Sequence, residues 1–327
     1  MRPKNKCLVF IICLLIVFIV LGCSYNIDLN DKLETEDMSE KIEENVEEIE
    51  IVLDNISSEI ETEEDISDTI KEPKYDEVDW SKYFNGINGA AVIYDVSINR
   101  YMVYNSELAL TRRSPCSTFK IISSLIGLEN GIIEPENSTR AWSGEVFWNE
   151  DWNKDIDFEN AFRVSCVWYF REIINEIGNN IMQKELDKLQ YGNCDISDWE
   201  GQLNTNNKNR ALTGFWIESS LLISPKEQTE VIERIFGKHT IYSENTLNRL
   251  RQAMLVSEQE NNISIYGKTG MGKIDNVVVD AWFTGFAETV EDNLYFCVYL
   301  GKTNDRNVSS SLAKEIAIQI VTDYCTQ

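Results

Sequence analysis

The sequence predicts an α+β domain: an antiparallel sheet flanked by helices, assembled from both ends of one folded unit, with an all-helical insertion between. Three observations carry this. Strand-type runs at 90–96 and 100–104 are separated by Ser97-Ile98-Asn99 and read as a hairpin. Helical patterns then fill the middle, at roughly 117–130, 157–176, 180–189, 225–236 and 244–256. Strand patterns return at 262–268, 277–287 and 293–300, and an apolar helix near 309–324 closes the chain. Strands first, helices next and strands last require the two ends to meet in one sheet.

The formal net charge of −25 over 327 residues is unevenly spread: +3 over residues 1–23, −18 over 24–80 and −10 over the remainder. A mildly acidic domain carries no basic footprint for nucleic acid. Residues 8–21 are continuously apolar behind a basic start, short for a bilayer span and right for a signal-peptide core. Val20-Leu21-Gly22-Cys23 resembles a bacterial lipobox. Residues 1–23 are therefore expected to be a lipoprotein-type signal peptide and Cys23 the lipidation site. The rest would then be extracytoplasmic, lipid-anchored to the outer face of the cell membrane; an uncleaved signal anchor would give the same side.

Residues 24–79 are expected to be an acidic tether, largely disordered, because such charge density resists compaction. Within it, Ile42, Val46, Ile49, Leu53, Ile56 and Ile60 follow a coiled-coil spacing. About three heptads flanked by repelling acids are marginal. A solvated stalk with transient helix is the expectation, and a self-associating helix the alternative. The folded domain is expected over 80–327, as a monomer or weak dimer.

The helix at 117–130 is the centre of the chemistry. Ser114 suits an N-cap and Pro115 the first helical position. Ser117 and Lys120, three apart, share one helix face. A serine hydroxyl is a poor nucleophile until a base takes its proton. Lysine is such a base only when neutral, the form that burial favours. S-x-x-K is common on solvated helices, but here Phe119, Ile121, Ile122, Leu125 and Ile126 surround it, which draws Lys120 inside. The helices at 225–236 and 244–256 have plain caps in Ser224-Pro225 and Ser243.

Three further stretches bear on a site. Ser165 enters the apolar, aromatic run Cys166-Val167-Trp168-Tyr169-Phe170. Alone it reads as a cap or a core serine; functionally it is placed to relay a proton between Lys120 and a leaving group. Trp216, in Phe215-Trp216-Ile217, offers one indole N–H donor, or is simply core. Lys268-Thr269-Gly270 ends a strand pattern and suits a substrate carboxylate, with Gly270 letting a ligand approach the backbone. The eight cysteines contain no C-x-x-C, and His239 is the single histidine. No metal site is expected, and a Ser-His-Asp triad is improbable because it would rest on a histidine expected to be solvated. Cys116 and Cys166 read as small buried hydrophobes.

In order along the chain stand Ser117-Thr118-Phe119-Lys120, Ser165-Cys166-Val167, Tyr191-Gly192-Asn193, Phe215-Trp216 and Lys268-Thr269-Gly270. With these, residues 80–327 resemble the class D serine β-lactamases. S-x-x-K and K-T-G are common to penicillin-recognising serine enzymes; S-x-V, Y-G-N and the Phe-Trp pair point to class D. The resemblance implies the β-lactamase/transpeptidase-like fold and a Ser117 acyl-enzyme on a β-lactam. It implies a carbamate, formed from CO2 on Lys120, as the base for acylation and deacylation, with no other cofactor. It assigns Trp216 to hold that carbamate, and Val167, Phe170 and Ile217 to its apolar walls. Ser165 would protonate the departing ring nitrogen. Lys268 and Thr269 would engage the substrate carboxylate, and the N–H groups of Ser117 and Met271, which follows Gly270, would form the oxyanion hole. Tyr191, Gly192 and Asn193 would shape the wall. Many family members add an arginine for the carboxylate, a role to which neither Lys302 nor Arg306 aligns. The competing readings are a β-lactam-sensing domain, whose full-length form would carry an H-E-x-x-H motif that this chain lacks, and a cell-wall transpeptidase, against which S-x-V and Trp216 argue.

Overall fold

The computed structural model describes residues 73–203, 208–259, 263–289 and 293–326. The apolar leader, Cys23 and the heptad pattern lie outside the described residues. The chain divides into Met1–Lys71 and Glu72–Gln327, and the fold described is that of the second unit.

The β-rich runs at the two ends do meet. Strands β1 (Lys74–Glu77), β2 (Gly89–Asp95), β3 (Arg100–Tyr104), β4 (Leu255–Gln259), β5 (Ile263–Ile274), β6 (Val277–Glu288) and β7 (Asn293–Gly301) form one sheet in the order β1-β3-β2-β7-β6-β5-β4. The join is the β2–β7 pair, in register from Gly89 opposite Leu300 to Asp95 opposite Leu294. The sheet is mixed rather than antiparallel throughout, because β1 runs parallel to β3. Strands buried on both faces read as near-continuous apolar runs, and β7 is such a strand. On one face lies the C-terminal helix, Ser310–Cys325, whose Ala313, Ile316, Ala317 and Ile320 share a core with Phe283, Phe296 and Val298. On the other, Phe286 and Tyr295 join the larger core of the helical insertion.

In chain order the helices are α1 (Ser81–Phe84), α2 (Ser106–Ala109), α3 (Lys120–Glu129), α4 (Phe158–Arg163), α5 (Val167–Leu189), α6 (Pro225–Phe236), α7 (Glu244–Met254) and the C-terminal helix, α8. Several differ from expectation for identifiable reasons. The helix expected over 157–176 is broken at Ser165, whose φ of +58° is left-handed. The expected break before 180 is present as a kink within α5 at Gly178, whose φ of +72° and ψ of 162° are non-helical. Strand β4 continues directly from α7, where helix was expected to 256. Strand β5 extends to Ile274 rather than 268, because Asp275 and Asn276 both take positive φ and close a tight hairpin onto β6. Among the described residues no helix is long and apolar enough to cross a membrane.

The folded unit also starts before residue 80. Strand β1 adds to the edge of β3; Tyr75 stacks on Tyr101 at 4.9 Å and Asp76 pairs with Arg100. The acidic composition around it hid this short strand. Tyr75→Ala is expected to destabilise the domain by about 0.5–1.5 kcal/mol, the worth of an aromatic pair. Chemical denaturation of the two proteins checks this, and an unchanged midpoint would show that β1 is not part of the cooperative unit.

Candidate active site

Ser117 does not sit in the first turn of an α-helix, as expected, but in a 3-10 segment, Cys116–Phe119, that leads into α3. Pro115 occupies the cap position, and Ser114 caps nothing. Instead the Ser114 hydroxyl donates to the Trp216 carbonyl (3.1 Å) and accepts the Glu218 N–H (2.8 Å). The Cys116 N–H donates to the same Trp216 carbonyl at 2.9 Å, and the Trp282 indole donates to the Ser114 carbonyl at 3.0 Å. Cys116 itself takes φ +50°. The turn before Ser117 is thus bonded both to the 216–218 segment and to β6, and a residue in a sparsely populated backbone region persists only where its surroundings impose it.

Lys120 opens α3 and is 1% exposed. Its Nζ donates to Ser117 Oγ at 3.0 Å and lies 5.4 Å from the Phe170 ring centre. Desolvation lowers its pKa from the ordinary 10.5 to about 8, since burial disfavours the ammonium. The Cys166 and Cys116 thiols beside it are pushed up by their own burial and are inert, as small hydrophobes should be.

Ser117, Ser165, Val167, Ile217, Thr269, Gly270 and Met271 line one cleft of about 420 Å³. The break between α4 and α5 presents Ser165 there, and its Oγ is buried with no hydrogen-bond partner among the described residues. Trp216, in contrast, lies in the wall behind. Its indole stacks on Phe119 (6.0 Å), meets Phe215 edge-on, and has the Arg171 guanidinium 6.0 Å from its ring; no hydrogen bond joins it to Lys120 among the described residues. Tyr191, Gly192 and Asn193 also stand behind the cleft. Tyr191 packs edge-on against Phe119, and the Asn193 side chain accepts from Leu222 N–H and donates to the Ser220 carbonyl.

The other side of the cleft is the open edge of β5. Strand β4 pairs with β5 only as far as Tyr266, so residues beyond it have no neighbouring strand on that side among the described residues. Lys268 is 5% exposed, and its Nζ donates to the Thr269 carbonyl at 3.2 Å. Burial, and then repulsion from Lys120, hold its pKa well below the usual lysine value. Gly270 lines the cleft, and its missing Cβ also admits the turn that carries Ser117. A Cβ there would lie 2.8 Å from the Pro115 carbonyl and 3.1 Å from Thr118 N. Met271 is 37% exposed at the rim.

Lys302 and Arg306 line a separate concavity, not the cleft. Residues missed from sequence are Lys273, Ser310, Glu218 and the exposed Trp148, all of which line the cleft. Glu218 had one signal, an acid directly after Phe215-Trp216-Ile217; the others had none, since a loop brings Trp148, the extension of β5 brings Lys273 and the start of α8 brings Ser310. Among the described residues no group of His, Cys, Asp and Glu could hold a metal ion.

Residues 63–322 match the penicillin-binding-protein transpeptidase domain. The chain is 31% identical to the regulatory protein BlaR1 of Staphylococcus aureus over 249 residues, 75% of this chain and 40% of that one. It thus spans about two fifths of that relative. It is 32% identical to the probable β-lactamase YbxI of Bacillus subtilis over 241 residues, 74% of this chain and 82% of that one. Among solved structures, a class D β-lactamase from Bacillus subtilis matches with a TM-score of 0.65 at 28% identity, covering 76% of this chain and 95% of that one.

The buried amine has a consequence for stability. Between pH 8 and 10.5 the unfolded chain holds a proton that folded Lys120 has released, so wild-type stability rises with pH in that window. Lys120→Met removes the burden of the charge and is expected to be more stable by about 3 kcal/mol at pH 7. The advantage should shrink from pH 8 towards 10.5. Denaturant titrations in CO2-free buffer at pH 7 and 10 test this, and an advantage independent of pH would show the amine is not desolvated.

Proposed function

The chain belongs to the penicillin-binding-protein transpeptidase family and carries its class D-like serine penicillin-recognising fold, and from that premise we propose that it hydrolyses β-lactam antibiotics, penicillins foremost, through a Ser117 acyl-enzyme. The observation that carries this reading is the 3.0 Å contact between Ser117 Oγ and an amine that burial tilts towards neutrality. A neutral amine accepts the hydroxyl proton and leaves Oγ free to attack the β-lactam carbonyl. The N–H groups of Ser117 and Met271 then receive the developing oxyanion, a contact whose single donors are each worth about 10²–10³ in rate. As the ring C–N bond breaks, Ser165 delivers a proton to the nitrogen. Lys268 and Thr269 hold the substrate carboxylate.

Deacylation needs a base that persists after the acyl group forms. The site fits a carbamate on Lys120: the amine is buried among apolar side chains, and the Ser165 hydroxyl is an orphaned donor. Such a group, made from CO2, supplies an anionic general base. Val167, Phe170 and Ile217 would exclude water around it, and the Trp216 N–H would be the donor that holds it. Lipid anchoring through Cys23 on the outer face of the membrane completes the reading, placing the enzyme where it meets drug before the cell-wall targets do.

The second reading is a β-lactam sensor that keeps its acyl group, favoured by the similarity to BlaR1. Following ring opening of benzylpenicillin together with the mass of Ser117 separates the two. Hydrolysis predicts sustained turnover stimulated by bicarbonate; a stoichiometric, long-lived adduct would overturn it and favour the sensor. Trp216→Ala is expected to slow deacylation more than acylation and to raise the bicarbonate requirement. Undiminished turnover by that variant at low CO2 would remove the indole from the mechanism.

A further inference from the structure

Glu218 has no part in the chemistry above, yet the fold goes to some length to hold it. Its backbone is left-handed, at φ +48°, a strained region for a residue with a side chain. Its N–H donates to Ser114 Oγ at 2.8 Å, in the turn before the nucleophile. Its carboxylate Oε1 accepts the backbone N–H of Lys273, near the end of the open edge of β5. The remaining oxygen, Oε2, is buried without a partner. Burial, with Asp280 adding repulsion, raises this carboxyl to about 7. A desolvated, half-satisfied carboxyl on a strained backbone destabilises a fold.

The neighbouring residues are fitted to that carboxylate. At Gly272 a Cβ would lie 2.5 Å from Glu218 Oε1 and 3.1 Å from Cys116 Sγ. The register shift beside Lys273 puts the extra residue on β6, so β5 itself keeps its alternation. Met271 and Lys273 therefore present their N–H groups to the same edge. A displacement of Lys273 is passed along one rigid strand to Met271.

We propose that Glu218 is a positioning residue for β-lactam acylation: by tying Lys273 to the segment after Trp216, it fixes the distance between the Lys120 pocket and the strand edge that offers the Met271 N–H to the substrate. The inference rests on the reading that Ser117 is acylated by β-lactams. What the clamp requires is an acceptor at Oε1, so Gln serves and Ala does not. A misplacement of about 1 Å at a reacting centre costs up to about 10² in rate.

The test measures the second-order rate of Ser117 labelling by a fluorescent penicillin, and the melting midpoint, in the wild type, Glu218→Gln, Glu218→Ala, Gly272→Ala and the Ala double variant. Glu218→Ala should acylate at least about tenfold more slowly, and Glu218→Gln should restore labelling to near the wild-type rate. Gly272→Ala, by displacing the carboxylate, should slow labelling in the wild-type background and add little to Glu218→Ala. A purely structural role would lower the melting midpoint of Glu218→Ala and leave its labelling rate at the wild-type value, which would overturn the proposal. So would a Gln variant as slow as the Ala variant. A wild-type chain that takes no label would overturn the acylation reading, and this inference with it.

Discussion

The domain is built around one unfavourable act, the removal of a lysine amine from water beside a serine hydroxyl. Lys120 is enclosed by the core of the helical insertion, and its Nζ keeps Ser117 Oγ as a partner. Leaving an ammonium there would require a counter-charge, and the amine responds by tilting towards its neutral form. The consequence is a basic nitrogen at hydrogen-bond distance from a serine hydroxyl, without a histidine. Lys268, also buried, is lowered in turn by its own desolvation and by repulsion from Lys120.

The rest of the fold brings a strand edge to that pair. Strand β4 ends early, β5 runs on, and Gly270 lets it press against the nucleophile turn. The helical insertion closes the cleft with Ser165, Val167 and Ile217. Each wall comes from a different stretch of chain, and the 114–118 turn touches two of them. Bonds from Ser114 and Cys116 to Trp216 and from Trp282 to Ser114 hold these parts in one geometry. Catalytic groups held by packed elements lose little freedom on binding, which is what pre-organisation requires.

The two proposed readings, hydrolysis and retention of the acyl group, part at this amine. Acylation needs a nucleophile, a transient base and an oxyanion site. Turnover needs, in addition, a base that survives acylation. The two activities can therefore share a fold and differ in the surroundings of a single amine.

Sequence alone determined the body of the central helix, the α+β class and the joining of both ends of the domain in one sheet. Ser117 and Lys120 were legible because their chemistry depends on a local repeat: three residues along a helical turn put two side chains on one face, and the apolar neighbours of Lys120 announce its burial. What only the tertiary structure decided involves pairs far apart in the chain. That Gly270 serves the nucleophile turn, that Ser114 bonds to Trp216 and Glu218 rather than capping a helix, that Trp216 sits behind the cleft, and that Lys302 and Arg306 face elsewhere are all non-local facts. Strands β1 and β4 were likewise invisible, since an edge strand owes its conformation to its neighbour's unpaired hydrogen-bonding groups more than to its own residues.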